Sequence, residues 1–536
     1  MQTSSTISFA RASSLATALL GLGLLAGPLL GGQAWAAELT ATQRAGKKIY
    51  LEGESPSGAE ITVRIGRDAS TLPGTAATCG SCHGADGLGR PEGGALPTGV
   101  TWPELVRPHG HVHPNGRSHP AYDERSLARA LRDGADPAGN PLDPVMPRYT
   151  MPDADMASLI AYLKVLERDL DPGIGQSSVR IGVVLPTRGR LADVGTGMRK
   201  VLEARVAGLN RRGGVNGRKL DLLVEGYDAD AGSGLDAARR LLQKGKVFAL
   251  LSGFFPSSEG EVGSLAESEK VPLIGPFTLF ASQADSVNPW VFHLMSGLRD
   301  QARVLAAYAA RDLAIEPGLL AIVHPEDERG ADAAAAARSQ LGARAAQAEV
   351  ISYAGTLPDP ALAARLGAKG VRAVIFLGSD AGFAAFARAA DAAGFTPYLL
   401  APGTLAARAA ARAPASFQGR VLLAYPSIPS DETPAAAAEL ARIRTQARIS
   451  DQNRASQVAA FVAFDVLVEG LRRAGRHLSR ERLVASLEAL YDFENGLLRP
   501  ITYGPNRRVG ALGGHIVAVD LPAGAFSAVG GWRPLE

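Results

Sequence analysis

The stretch TAATCGSCHGADGLG, residues 75–89, contains Cys79 and Cys82, the only two cysteines among 536 residues. They stand three positions apart and His83 follows directly, so the run has the form C-x-x-C-H. A disulfide between cysteines this close would enclose a very small loop and add little stability, and it leaves His83 without a role. A zinc site needs further ligands at paired spacing, and the chain has no second cysteine pair. A thiol redox pair is expected after a strand within a βαβ unit.

The same run is the attachment motif of c-type haem. In that chemistry, Cys79 and Cys82 form thioether bonds to the porphyrin, and the imidazole of His83 binds the iron. This interpretation uses all three residues and explains why the rest of the chain has no cysteine. The sequence therefore predicts one covalently bound haem c.

Two helical patterns flank the motif. The segment AGKKIYLEG, residues 45–53, places Gly46 and Tyr50 four positions apart on one helix face. The segment DADMASLIAYLKVLE, residues 153–167, repeats apolar residues at helical spacing. We therefore expect a helix on each side of the cysteine motif.

A further segment, LDPVMPRYTM, lies between these helices and offers methionine sulfur as a ligand. This order of helix, C-x-x-C-H-G, Met-Pro loop and final helix resembles class I cytochrome c over about residues 40–170. The resemblance implies a small all-α domain, which we assign to residues 37–170, and a function in electron transfer.

Two methionines compete for the sixth iron position. Met146 is followed by proline and precedes Tyr162 by 16 residues, a spacing that matches the cytochrome family. Met151 stands where the last helix begins, a place that packing residues usually fill. We therefore predict Met146 as the second axial ligand beside His83. Ligation by histidine and methionine raises the haem potential and suits electron transfer.

Four histidines follow in the segment RPHGHVHPNGRSHP: His109, His111, His113 and His119. One interpretation is a second metal site, or a histidine that replaces Met146 on the iron. The other, which we favour, is a polar surface loop rich in Pro and Gly that covers the haem.

Residues 1–36 have the features of a cleavable signal peptide. An apolar run broken by Gly and Pro is followed by small residues at Ala34 and Ala36, which suit cleavage before Ala37. A membrane anchor is the alternative, but the run is short and glycine-broken. We expect export to the periplasm. The balance of 56 basic and 53 acidic residues, net +3, gives no reason to expect a nucleic-acid partner.

The sequence pattern changes near residue 179, after a segment rich in Asp, Pro, Gly and Ser. We assign residues 171–178 as a linker. Buried-type strands such as VRIGVVLP then alternate with helices such as VGTGMRKVLEARVAGLN, which indicates βαβ units and parallel sheets covered on both faces. About ten such strands exceed one sheet, so we expect two similar α/β lobes in residues 179–536.

Three segments carry a second resemblance: NRRGGVNGRKLDLLVEGYDAD, SGFFPSSEGEV and FENGLLRPITYGPNRR. They are similar to type I periplasmic binding proteins, especially the branched-chain amino-acid receptor group, over roughly 360 residues. The resemblance implies two doubly wound lobes that close on a small ligand. Loops at the carboxyl ends of parallel strands, together with helix N-termini, suit an anionic ligand.

The resemblance also implies the ligand-binding positions of the first lobe. Ser257 and Ser258 stand where the family holds the ligand carboxylate with a serine hydroxyl and a backbone amide. Phe277 and Thr278 stand in the facing loop. Ser257 and Ser258 also fit a helix cap, and both functions are compatible.

The second lobe departs from the family pattern. Arg329 stands where the receptors have a tyrosine, and Asp380 stands where they have an aromatic residue. The usual acidic partner of the ligand ammonium corresponds to Gly403. The ammonium clamp is therefore missing unless Asp380 replaces it, and a carboxylate, an amide or another small metabolite is as good a candidate as an amino acid. Arg329 either pairs with an acidic group or is a solvated charge.

Three functions follow from these patterns. The leading hypothesis is a periplasmic electron carrier that is not an enzyme, with a redox protein as partner, for example a periplasmic dehydrogenase or a terminal oxidase chain, and with a fused ligand-binding module. The second is a receptor that delivers solute to an ABC permease, with an accessory haem. The third is an oxidoreductase acting on the bound ligand, which a six-coordinate iron and the lack of a base constellation disfavour.

Overall fold

A computed structural model of the chain describes residues 39–66, 70–89, 97–281 and 287–535. The predicted signal peptide, residues 1–36, lies outside the described residues. Within the described ranges, no helix has both the length and the apolar character needed to cross a membrane.

The N-terminal domain has a helical core with short strands between the helices. Its elements are α1 (Ala41–Glu52), β1 (Thr62–Arg64), β2 (Thr71–Pro73), α2 (Cys79–His83), α3 (Trp102–Leu105), β3 (His111–Val112), β4 (Ser118–His119), α4 (Glu124–Asp133), β5 (Arg148–Thr150) and α5 (Asp153–Leu163). Helices α1 and α5 confirm the two predicted helices. The strands form two small antiparallel sheets, β2-β1-β5 and β3-β4, which the sequence pattern did not predict because each strand has only two or three residues.

Helices α1 and α5 cross at Gly46. A Cβ atom at Gly46 would lie 2.0 Å from the carbonyl oxygen of Ser158 and 2.7 Å from the Cβ of Tyr162, so only glycine permits this approach. One turn later, the ring of Tyr50 packs against that of Tyr162 with centroids 5.6 Å apart. The face that carries Gly46 and Tyr50 is therefore the crossing face of α1.

We expect Gly46→Ala to lower the free energy of unfolding of the N-terminal domain by about 1–3 kcal/mol, because the added methyl group meets backbone that cannot move aside. The control is Gly208→Ala in a second helix, where a Cβ would meet only arginine side-chain nitrogens at 3.6 Å or more. That change should be neutral or stabilise by up to about 1 kcal/mol. Calorimetry of the full chain measures both, and equal effects would contradict the packing argument.

The C-terminal domain alternates strands and helices. Its elements are β6 (Ser178–Arg188), α6 (Ala192–Arg211), β7 (Lys219–Asp228), α7 (Gly234–Gln243), β8 (Ala249–Leu251), α8 (Glu259–Ser268), β9 (Leu273–Ile274), β10 (Val291–Met295), α9 (Leu298–Arg311), β11 (Leu320–Pro325), α10 (Glu328–Ser339), β12 (Glu349–Tyr353), α11 (Ala361–Ala368), β13 (Ala373–Phe376), α12 (Asp380–Ala392), β14 (Tyr398–Pro402), α13 (Gly403–Ala410), β15 (Val421–Tyr425), α14 (Pro434–Ala447), α15 (Arg454–Ala474), α16 (Arg480–Glu488), β16 (Val509–Ala511), β17 (Gly513–Asp520) and β18 (Ala525–Pro534). The predicted alternation is confirmed.

These strands form two sheets, one in each lobe. The first has the order β16-β10-β9-β8-β6-β7 and is parallel throughout. The second has the order β12-β11-β13-β14-β15-β17-β18. In this sheet, β17 runs antiparallel to both of its neighbours, β15 and β18. Strands such as β6 and β13 are buried along most of their length, as expected for parallel strands covered by helices on both faces.

The chain passes between the lobes three times: after β10, after β15 and between β16 and β17. After the second crossing, the chain returns to the first lobe and forms α14, α15 and α16. Their apolar side chains share one core with β6 and β8. Three crossings define a two-lobed fold whose facing edges form a cleft.

The segment that joins the two domains is packed against both. Leu166 belongs to the core of the N-terminal domain, and Ile174 belongs to the core of the first lobe. Gly173 has φ +87°, and a Cβ there would lie 2.4 Å from the backbone nitrogen of Phe248. The joint therefore fixes the N-terminal domain against the first lobe, on the side where β8 begins.

Candidate functional site

The C-x-x-C-H run forms a single helical turn, α2. The side chain of Thr78 caps it by accepting a hydrogen bond from the Ser81 amide at 3.2 Å. Cys79 is buried and Cys82 is half-buried, and both are free thiols. The turn places two unbridged cysteines and His83 within one short rigid element, as thioether attachment of a haem requires.

The imidazole of His83 is oriented by a backbone carbonyl. Its Nδ1 lies 2.8 Å from the carbonyl oxygen of Thr98, and since a carbonyl only accepts, Nδ1 carries the proton. The Nε2 atom has no hydrogen bond among the described residues. Burial lowers the pKa of His83, which favours the neutral ring. A neutral imidazole with its second nitrogen held by a carbonyl is the form that binds a metal.

Two tyrosines fix the backbone on either side of this turn. Tyr50 donates a hydrogen bond to the carbonyl oxygen of Gly84 at 2.8 Å, and Tyr149 donates one to that of Ala77 at 2.8 Å. Burial raises the pKa of the Cys79 thiol to about 11, so it is not a reactive thiolate at neutral pH. The donor set therefore fits covalent haem attachment better than thiol–disulfide exchange.

The two candidate methionines lie in different surroundings. Met151 is buried within the core of the N-terminal domain, whereas Met146 is half-buried and packs against the outside of that core. A core methionine is already surrounded by apolar side chains and is a packing residue. Met146 therefore stays our predicted sixth ligand, on the ground of its accessibility and of the spacing to Tyr162.

We expect Met146→Leu to abolish the sulfur-to-iron charge-transfer absorption of the ferric holoprotein, because leucine removes the sulfur at nearly constant volume. The matched control is Met151→Leu, which should keep that absorption and cost less than about 1.5 kcal/mol of stability. Visible spectroscopy of both variants decides the assignment, and loss of the band only in Met151→Leu would reverse it.

The histidine-rich segment forms the β3-β4 hairpin. The rings of His111, His113 and His119 lie with centroids 5.1 to 5.8 Å apart, and the Nε2 atoms of His113 and His119 are 3.0 Å apart. Arg117 also contacts the Nε2 of His113, at 3.0 Å. Among the described residues, no group of three or more His, Cys, Asp or Glu side chains is arranged to hold a metal ion, and His109 is exposed. His119 is buried, and these histidines bond to one another, to Arg117 and to backbone carbonyls.

The predicted ligand residues of the first lobe lie in the loops after β8 and β9, near the start of α8. Ser258 is buried, and its hydroxyl has no hydrogen-bond partner among the described residues, whereas Ser257 is exposed. Phe277 packs edge-to-face against Phe254, with centroids 5.2 Å apart. The structure thus brings an unpaired hydroxyl and an aromatic wall to the carboxyl ends of the parallel strands.

Glu259, the first residue of α8, is a cleft residue that our sequence reasoning missed. Its carboxylate lies 3.7 Å from the guanidinium of Arg329 in the second lobe, and the guanidinium stacks 3.9 Å from the ring centroid of Phe280. Burial raises the pKa of Glu259, although a hydrogen bond from Thr278 and the charge of Arg329 oppose the shift. Arg329 therefore pairs with an acidic group across the cleft. The signal in the sequence was Glu259 directly after the two serines.

Asp380 is engaged within the second lobe. Its two carboxylate oxygens accept hydrogen bonds from the Nε of Arg408 at 3.0 Å and from the backbone amide of Ala409 at 2.9 Å. A Cβ at Gly403 would lie 2.2 Å from the ring of Tyr425. The tyrosine ring therefore occupies the space where the receptors carry an acidic side chain, and the structure does not bring Asp380 together with Arg329.

Residues 178–521, more than half of the chain, match the family described as periplasmic binding protein. The chain belongs to the periplasmic binding protein family. Residues 73–167 match the cytochrome c family, so the binding protein carries a cytochrome c domain that contains Cys79, Cys82, His83 and Met146. A cytochrome c domain implies covalently bound haem c. The search of curated proteins found no match.

Solved structures resemble the binding-protein part of the chain. A fatty acid ABC transporter substrate-binding protein from Thermomonospora curvata has 18% identity and a TM-score of 0.53, covering 69% of this chain and 95% of its own. A branched chain amino acid ABC transporter from Thermus thermophilus with bound valine has 18% identity and a TM-score of 0.52, covering 68% and 98%. Identities this low establish the two-lobed fold and not the ligand.

Proposed function

We propose that this binding protein is a periplasmic c-type cytochrome that transfers single electrons through one covalently bound haem c and binds a small molecule in its cleft. The observation that carries the proposal is the state of His83. Its Nδ1 is held by the carbonyl of Thr98 and its Nε2 is left without a protein partner among the described residues, beside two free cysteines.

The residues around the motif suit a carrier rather than a catalyst. Bound haem c supplies a one-electron iron couple. His83 and Met146 would be the protein ligands of the haem iron, so that the iron would not be open to a substrate. The tyrosines at positions 50 and 149 hold the turn, so that little reorganisation accompanies electron transfer. We propose no catalytic role, and the partner that delivers or accepts the electron is a redox protein of the periplasm.

The cleft supports a ligand with an apolar body and one acidic group. Phe254, Phe277 and Phe280 are half-buried and supply apolar surface. The guanidinium of Arg329 and the unpaired hydroxyl of Ser258 supply donors for a carboxylate. The carboxylate of Glu259 lies 3.7 Å from the guanidinium of Arg329. We infer that a carboxylate or amino-acid-like ligand displaces Glu259 from Arg329.

The second candidate is a solute receptor of an ABC transport system with an accessory haem. The observation that favours it is that the two described relatives are proteins of ABC transport systems. The function of the electron carrier depends on the haem. The function of a receptor does not, because a receptor docks to a permease in either redox state of the haem.

Full-length holoprotein tests the two candidates together. Stopped-flow mixing with a one-electron reductant and then with ferricyanide should show reversible uptake of one electron per chain. Calorimetry with a panel of aliphatic and aromatic carboxylates, amines and amino acids, in both redox states, should find binding among the carboxylates or amino acids. Absence of electron uptake would contradict the carrier, and tight binding without it would favour the receptor.

We expect Glu259→Gln to strengthen the binding of the selected carboxylate about tenfold, or about 1.4 kcal/mol, because it removes repulsion and releases Arg329. Arg329→Gln should weaken binding by at least as much. The matched control is Glu261→Gln, which removes the same charge two positions after Glu259, from an exposed side chain of α8. Calorimetry measures all three, and equal effects at 259 and 261 would contradict the pairing.

The same pair predicts a pH dependence. Burial raises the pKa of Glu259, so protonation removes its charge at a higher pH than for an exposed glutamate. Carboxylate affinity should therefore rise as the pH falls toward the pKa of Glu259, down to about pH 5, where the ligand itself stays ionised. Glu259→Gln should flatten this profile. A rise that persists in the variant would show that another group titrates.

A further inference from the structure

We call residues 79–89, which comprise α2 and the loop after it, the haem segment. A charged pair joins this segment to the first lobe of the binding domain. The Nε of Arg482 donates to the Oδ2 of Asp86. Asp86 lies three residues after His83, and Arg482 is the third residue of α16. The two residues are 396 positions apart in the chain, so the contact exists only because the two domains are packed together.

Asp86 belongs to the loop, residues 84–89, that follows His83 at the end of α2. Its other oxygen accepts a hydrogen bond from the amide of Leu88 at 3.1 Å. The amide of Gly89 donates a hydrogen bond to the carbonyl of His83 at 2.8 Å. The amide of Val100 donates one to the carbonyl of Gly87 at 2.7 Å. Arg482 therefore contacts the loop, residues 84–89, that directly follows His83.

The pair lies where its charges are poorly screened. The side chain of Asp86 is 14% exposed and that of Arg482 is 31% exposed. Three extended residues span at most about 11 Å, so the Asp86 backbone lies within that distance of His83. A charge at this depth and distance acts on the iron with less screening than a surface charge.

Other contacts keep α16 in place independently of Arg482. The guanidinium of Arg480 donates to the backbone carbonyls of Val247 and Phe248 at 2.8 and 3.0 Å, and its amide donates to Asp171 at 2.6 Å. A cavity of about 210 Å³ lies beside the interface and is bordered by residues of both domains, Asp86 among them. Removing Arg482 therefore changes the charge and the hold on the haem loop without removing the domain joint.

We propose that Arg482 is a positioning residue for the haem segment, through which the binding domain helps to set the haem potential. The inference rests on the proposed function, because it requires a bound haem. Arg482 pairs with the charge of Asp86 and holds the loop that follows His83. Loss of the cation favours the ferric state and lowers the potential, whereas loss of the anion raises it.

A double-mutant cycle in full-length holoprotein tests the proposal. We expect Arg482→Gln to lower the midpoint potential, Asp86→Asn to raise it, and the double variant to lie between them, near wild type. The matched control is Arg442→Gln, an arginine of the same lobe whose partner Glu439 lies on its own helix, α14. The control should leave the potential unchanged.

Each outcome of the titration is decisive. If the three variants of the cycle have the same midpoint potential as wild type, the proposal is overturned, whereas the proposed function as an electron carrier is not affected. A shift of the same size in Arg442→Gln and Arg482→Gln overturns it as well, because net charge would then explain both. If Arg482→Gln does not fold, two other variants test the proposal. Asp86→Asn should raise the midpoint potential, and Arg482→Lys, which keeps the positive charge, should leave it near that of wild type. Absence of covalent haem in the wild type overturns the proposed function itself.

Discussion

The parallel pairing of β6 with β7 and β8 determines where both functional regions lie. Because neighbouring strands of this sheet point the same way, their carboxyl ends share one edge and their amino ends the opposite edge. Ser258 and Phe277 lie in the loops that follow the carboxyl ends of β8 and β9. Phe248 precedes β8 and accepts the hydrogen bond of Arg480, beside the domain joint. The predicted ligand-binding loops and the domain joint therefore lie at opposite edges of one sheet, and the short strand β8 connects the two edges.

Much of this architecture could be predicted from the sequence, because it depends on patterns among residues that are close together in the chain. C-x-x-C-H specifies its own attachment chemistry, and the spacing of Gly46 and Tyr50 indicated a helix with both residues on one face, although not its crossing with α5. Continuous apolar runs revealed the buried parallel strands. The short strands of the cytochrome domain could not be predicted, since two or three residues show no periodicity. The carbonyl of Thr98 could not be predicted either, because every residue has a carbonyl and only the fold chooses one.

Contacts between distant parts of the chain escaped the sequence for a related reason. Glu259 and Arg329 lie on different lobes, and each alone resembles a solvated charge at a helix start. Gly403 stands where the family resemblance predicts an acidic group, and only the structure shows that the ring of Tyr425 lies against it. Asp86 and Arg482 belong to different domains. In each case, the charge or the vacancy was visible in the sequence, and its partner was not.

The central claim is that a haem c electron carrier is built into a periplasmic binding protein. Intact mass spectrometry of the denatured, exported protein tests it most directly, because thioether bonds survive unfolding and non-covalent haem does not. We expect a polypeptide that begins at Ala37 and carries the added mass of one haem. A haem-free polypeptide, or one lighter by two hydrogens through a bond between Cys79 and Cys82, would contradict it.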